Sequence, residues 1–194
     1  MEHRFIANQV LSNESQVIPA IQVLTEKISI GGRRDLWVIE SERTAVIAAP
    51  PDKVYAIIGN PKRFNEWSPW SELDPNLTYI FAGPEQGVGQ KMSWKSNDPE
   101  VGSGAVTITE AVTGEKITTE LDFGEMGKSR SVLTVSKFND GTLVAWTFRA
   151  EVNSIMERWT GLMFDKWIGA DYVKGLGKLK VLAEKEAQVP ATSQ

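Results

Sequence analysis

Among its 194 residues the chain has one histidine, His3, and no cysteine. Thiolate chemistry, disulfides and multi-histidine metal sites are therefore closed to it, and a serine triad would have to recruit His3 from the chain's start. Carboxylates and hydroxyls remain. Asp171 stands out because it falls among Phe164, Ile168, Gly175 and Leu179, an apolar stripe at helical spacing. An unpaired carboxylate there would be pushed toward its neutral form, able to donate a hydrogen bond to a ligand carbonyl or to serve as a general acid. Capping a helical restart after Gly169, or pairing with Lys174 or Arg158, would account for it as well. Tyr172 is expected at the edge of the same stripe, an apolar ring with a hydroxyl that needs a partner. Thr119 and Ser131 could orient a polar group of a ligand or bond back to nearby backbone. Gly175 leaves space on the helix for a ligand or for close packing on a sheet.

Two elements of opposite period must position these residues. After "LWVIESERTAVIAAP", which reads as a strand ended by Pro50-Pro51, Asp52 can cap a short helix "KVYAIIGN" and Pro61 can open a second one through Phe64 and Trp67. Six strands follow: "LTYIFAG", "GQKMSWKS", "GAVTITEAV", "EKITTELDF", "SRSVLTVSKF" and "TLVAWTFRA". Turn signals such as Thr113-Gly114 and Asp140-Gly141 are short enough for consecutive hairpins, so an antiparallel meander is expected. The last ~30 residues are helical, with Phe164, Ile168, Tyr172, Leu176, Leu179 and Leu182 on one face and Gly161, Gly169, Gly175 and Gly177 weakening the helix.

Alternation assigns an inward face to Met92 and Trp94, Val106 and Ile108, then Ile117, Thr119, Leu121 and Phe123. It continues with Ser131, Leu133 and Val135, then Val144, Trp146 and Phe148. Lys91, Lys95, Thr107, Glu120, Asp122, Arg130, Thr134 and Thr147 face the other way. A curved sheet holding one helix has difficulty filling the space between them, which favours a cavity.

The order strand, two short helices, six strands, long helix, with "APPDKVYAII", "RFNEWSPW", "GVGQKMSW", "DGTLVAWTF" and "MFDKWIGADYVKGLGKLK", resembles the polyketide cyclase/dehydrase and lipid-transport branch of the SRPBCC, or START-like helix-grip, superfamily. The resemblance runs from about Leu36 to Glu186. It implies an α+β fold in which a curved seven-stranded antiparallel sheet wraps a C-terminal helix around an elongated cavity for a hydrophobic small molecule. By position, Trp67 and Trp70 would cap or line the mouth of that cavity, or close the end of the core. Relatives in this branch are expected to open with the first strand or with a membrane-spanning helix. Here residues 1–35 form an extension, in which Val17, Ile18, Ile21, Leu24 and Ile28 suggest a short amphipathic helix ending at Gly31-Gly32. That helix would dock on its own domain or build a homodimer.

The resulting expectation is three segments: the extension 1–35, a ligand-binding domain 36–186 and a polar tail 187–194. The ligand, lipid- or polyketide-like, would touch Trp67, Trp70, Met92, Trp94, Ile108, Thr119, Leu121, Phe123, Ser131, Leu133, Trp146 and Phe148 from the sheet side. Phe164, Ile168, Asp171, Tyr172 and Gly175 would meet it from the helix. A carrier or sensor is favoured by the shortage of inward polar groups. The alternatives are a cyclase or dehydratase using Asp171, Tyr172 or Thr119, and an interaction module with a filled core. No metal or nucleotide cofactor is implied. "GPEQGVGQ" lacks the spacing of a phosphate loop, and the net charge of −4 disfavours nucleic acid. Glu66, Glu72 and Asp74 read as solvated loop charges that would disfavour anionic ligands at the Trp67–Trp70 end. No run approaches the ~18–20 apolar residues that span a bilayer, and a cytoplasmic location is expected.

Overall fold

The computed structural model describes residues 27–31, 37–74, 76–98, 101–124, 127–152 and 155–188. Strand β1 (Lys27–Gly31) is followed by β2 (Trp37–Ile47), helix α1 (Pro51–Ile58), a 3-10 turn (Pro61–Arg63) and α2 (Phe64–Trp67). Six strands then run as β3 (Thr78–Ala82), β4 (Lys91–Lys95), β5 (Ser103–Val112), β6 (Lys116–Asp122), β7 (Lys128–Phe138) and β8 (Gly141–Val152). Helix α3 (Ile155–Gln188) completes the order.

All neighbouring strands are antiparallel, in the order β1-β2-β8-β7-β6-β5-β4-β3. The seven strands expected from the sequence are β2 to β8, a meander closed by β2 returning beside β8. The eighth is new. Residues 27–31 pair with Val38–Glu42, so Ile28 belongs to a strand and not to the end of a helix. Ile28 and Ile30 alternate, and over five residues that pattern competes with a three- to four-residue step. The remainder of the expected helix, including Val17, Ile18, Ile21 and Leu24, lies outside the described residues, as do most of the extension and the polar tail.

Two local details differ from expectation. Helix α1 starts at Pro51 behind Pro50, with no side-chain cap, and Asp52 sits inside the first turn. There its charge lies at the positive end of the helix dipole without capping it, the Lys53 and Val54 N–H groups being bonded to the Pro50 carbonyl. Helix α3 runs unbroken through Gly169 and Gly175, because packing on the sheet outweighs the weak propensity of glycine.

The turns are tight. Asn139 takes a φ of 50° in the β7–β8 hairpin, and Gly83, Gly87 and Gly89 all have positive φ in the β3–β4 loop, where asparagine and glycine tolerate the left-handed region. A register shift between Ile108 and Glu110 marks a bulge in β5, which bends the sheet.

The core lies between the concave face and the C-terminal half of α3. Ala45, Ile47, Val135, Val144, Trp146, Leu176, Leu179 and Ala183 are buried together with Val54 and Ile57 of α1. Glu184 accepts the Ala48 N–H at 2.8 Å and Lys180 donates to the Val46 carbonyl at 2.9 Å, fixing the end of the helix to the end of β2.

Candidate functional site

Cross-strand partners on the concave face read as rows across the sheet. The middle row is Ser41, Phe148, Ser131, Thr119 and Ile108. One row toward the core come Arg43, Trp146, Leu133 and Ile117. One row the other way are Ile39, Ala150, Ser129, Leu121, Val106 and Met92. The face is thus divided by a band of hydroxyls with an arginine beside it.

On the core side of that band everything is packed. Trp146 and Tyr172 stack with ring centroids 3.8 Å apart and planes 11° from parallel, and Trp67 meets Trp146 edge-on at 5.2 Å. A Cβ at Gly175 would stand 2.7 Å from Trp146 Cζ3 and 3.2 Å from Pro69 Cδ. The bare backbone at Gly175 therefore serves close helix–sheet packing. Trp67 is 2% exposed, also edge-on to Phe64, and closes the end of the core.

Trp70 does something different from Trp67. It stays half-buried, and its Nε1 donates to Asp171 Oδ2 at 3.0 Å. Desolvation raises the Asp171 pKa, while the Trp70 hydrogen bond and the Lys174 charge hold it back. The same loop is tied to α3 twice more. Lys178 donates to the Ser68 carbonyl and to Ser71 Oγ, and Lys174 and Lys178 both reach Glu72, whose carboxyl they hold below its usual range. Asp171 thus fastens a loop at the stripe's edge, and Tyr172 takes the buried central position that the sequence reading gave to Asp171. At 100° per residue, neighbours on a helix exchange such places with a small rotation.

Ser131 is the centre of the polar band. Its Oγ accepts from Trp146 Nε1 at 2.8 Å and lies 3.5 Å from the Tyr172 hydroxyl, while Thr119 Oγ1 reaches the Ser131 carbonyl at 3.4 Å. Burial pushes the Tyr172 hydroxyl far above the ordinary phenol range, with the Ser131 hydrogen bond pulling against it. Ser129 Oγ is buried without a hydrogen-bond partner.

Arg43 was not singled out from sequence. It is 3% exposed on the concave face, and its Nη1 donates to Ser41 Oγ at 3.2 Å and to the Glu42 carbonyl at 3.0 Å. Gly169 makes room for it, since a Cβ there would overlap the guanidinium, with Cζ only 2.7 Å away. Alternation along β2 carries the signal: Ile39, Ser41, Arg43, Ala45 and Ile47 share one face.

On the other side of the band the concave face is less well covered. Trp94, Val106, Leu121 and Phe123 all keep part of their surface accessible although they point toward the helix side. Trp94 lies across Gly104, where a Cβ would come 2.6 Å from its ring, and meets Phe123 edge-on at 6.2 Å. Ile168 is also partly exposed; the Phe164 side chain lies outside the described residues. Of the residues expected to face a ligand, Met92, Ile108, Leu133, Trp146 and Phe148 are buried in the sheet's inner surface. Among the described residues no group of three or more His, Asp or Glu could hold a metal ion, and no helix is long and apolar enough to cross a membrane.

A curved antiparallel sheet that holds a long C-terminal helix, with short helices after the first strand of the grip, defines the helix-grip architecture. The chain belongs to the polyketide cyclase / dehydrase and lipid transport family, whose model matches residues 38–184. Solved structures with the same fold include CalU16 from Micromonospora echinospora, at 16% identity and a TM-score of 0.56, covering 86% of this chain and 88% of that one. The di-domain ARO/CYC StfQ from the steffimycin biosynthetic pathway aligns at 16% identity and a TM-score of 0.60, over 81% of this chain and 54% of its own. Protein SA2116 of unknown function from Staphylococcus aureus gives a TM-score of 0.62 at 10% identity, over 78% and 97% of the two chains. No curated protein matches the chain.

Proposed function

We propose that the chain binds a hydrophobic or amphipathic small molecule, lipid- or polyketide-like, in the grip between β4–β6 and α3, as a carrier or sensor. The observation that carries this reading is the uneven covering of the concave face. Trp94, Val106, Leu121 and Phe123 remain partly accessible where a core would bury them, beside the hydroxyls of Ser131 and Thr119. Apolar contact would supply affinity at roughly 25 cal/mol per Å² before binding costs, and the polar band would set orientation. Family membership supports the same reading.

An acid–base enzyme fits less well. Tyr172 is engaged with Ser131, its hydroxyl is held protonated, and Asp171 is engaged with Trp70 at the edge. The filled-core alternative is disfavoured by the partly accessible surfaces of Trp94, Val106, Leu121 and Phe123.

The test is mass spectrometry of compounds released by organic solvent from purified, dialysed protein, beside a Val106→Arg variant whose folding is checked by circular dichroism. A hydrophobic compound held stoichiometrically by the original chain and lost from the variant supports the proposal. Empty protein that also takes up no 1-anilinonaphthalene-8-sulfonate would overturn it.

A further inference from the structure

The far edge of the sheet carries a second concavity, on the convex side and separate from the grip. Strand β3 stands last in the strand order, so one side of its backbone faces no strand among the described residues. Its sequence, TYIFA, contains no charge and no proline, and its pairing with β4 shows no bulge. Those are the devices by which proteins protect an open edge. Ile80 is 65% exposed and Phe81 40%, an unusual outlay of apolar surface for an edge strand.

Beside this edge lies an open cleft of about 660 Å³, whose lining includes Leu73, Asp74, Thr78, Ile80, Lys95 and Asp98. Thr78 pairs with Lys95 and Ile80 with Ser93, which places the cleft on the face opposite Met92 and Trp94. A strand added along β3 would therefore send every second side chain to the cleft's side of the sheet. Two features select what those side chains should be. Leu73, itself 42% exposed, and Ile80 offer apolar contact. Among the described lining residues the charged ones are Asp74, Asp98 and Lys95, two negative and one positive. The Asp74 carboxylate is also fixed in direction, because Oδ1 accepts the Asn76 N–H at 2.9 Å and Oδ2 accepts from Ser96 Oγ at 2.5 Å.

We infer that β3 accepts an extended segment of a partner protein, bearing an apolar residue and a lysine or arginine two positions apart on one face. Main-chain hydrogen bonds would supply attachment, and the cleft would supply selectivity. This surface is independent of whatever the grip holds.

The experiment uses the whole chain, labelled with nitrogen-15, and the capped heptapeptide Ser-Ile-Thr-Lys-Thr-Val-Ser. Amide shifts centred on Thr78–Ala82 are expected on titration. The same peptide with glutamate for lysine should bind at least tenfold more weakly, and N-methylation of alternate amides should abolish binding. Ile80→Lys, at an exposed position that leaves the circular dichroism unchanged, should also abolish it. Equal binding of the glutamate peptide, shifts confined to the concave face, or no binding at millimolar peptide would each overturn the inference. So would a dimer in sedimentation that Ile80→Lys converts to monomer, since the edge would then belong to a second copy.

Discussion

Replacing Gly175 by alanine sets two physical effects against each other inside one methyl group. Helix propensity favours the change by about 1 kcal/mol in an interior turn. Packing opposes it. The added Cβ would lie 2.7 Å from Trp146 Cζ3, where carbon atoms rest at about 3.5–4.0 Å, so the indole must move by nearly 1 Å. That ring is stacked on Tyr172, meets Trp67 edge-on and donates to Ser131, so it has nowhere to go without losing one of these contacts. Overpacking of this kind costs about 1–3 kcal/mol, and a strained hydrogen bond about 1 more. Gly175→Ala should therefore destabilise the protein by about 1–3 kcal/mol in urea denaturation followed by far-ultraviolet circular dichroism. Trp146→Phe removes the nearest clash and leaves only Pro69 Cδ at 3.2 Å, so in that background the same alanine should cost less by at least about 1 kcal/mol, read as coupling in the double-mutant cycle. Stabilisation by alanine in the original chain, or additivity of the two changes, would refute the packing argument.

Ser131→Ala should cost about 1–3 kcal/mol in the same denaturation assay, because it strands the buried Trp146 N–H; a change within error would show that the indole finds another acceptor. In a spectrophotometric titration near 295 nm, Tyr172 should ionise only when the chain unfolds, and tyrosinate signal from all three tyrosines in still-folded protein would contradict its burial. Asp171 has a raised pKa, so the native state holds that proton more tightly than the unfolded chain does. The resulting stabilisation is complete below the unfolded value and lost as pH rises through the folded one. The original chain should accordingly lose stability relative to Asp171→Asn as pH climbs above the ordinary aspartate range, and a flat or opposite difference would show that the Trp70 bond outweighs desolvation.

Strand periodicity was the most legible feature of this sequence, because one face of each strand is buried and a slip of one residue would expose it. Met92, Ile108, Ile117, Leu133, Val135, Val144, Trp146 and Phe148 all turn inward as alternation requires. Arg43 escaped notice for the same reason: a charge is expected to face solvent, and only the neighbouring Ser41, Ala45 and Ile47 reveal that it does not. Asp171 and Tyr172 illustrate a limit of helical spacing, which locates a stripe but not its centre line. The bulge after Ile108 left no mark in residue types, yet it lets Ala111 pair with Ile117 on the buried side of β5. The clasp of Trp70, Glu72, Lys174 and Lys178 joins residues about a hundred positions apart, which no local pattern records.

The pairing of β2 with β8 has a temporal side. Trp37 faces Val152 and Ile47 faces Thr142, so the two strands become partners only after roughly a hundred intervening residues exist. The hairpins from β5 to β8 close over short turns and are the economical place for folding to start. On the ribosome β2 is made early and must wait, carrying Ile39, Ala45 and Ile47 unshielded until β8 and α3 emerge. The floor of the grip, with Arg43 in it, thus cannot be completed before β8 is made, and slow synthesis across β3–β7 would lengthen the interval in which β2 can pair wrongly.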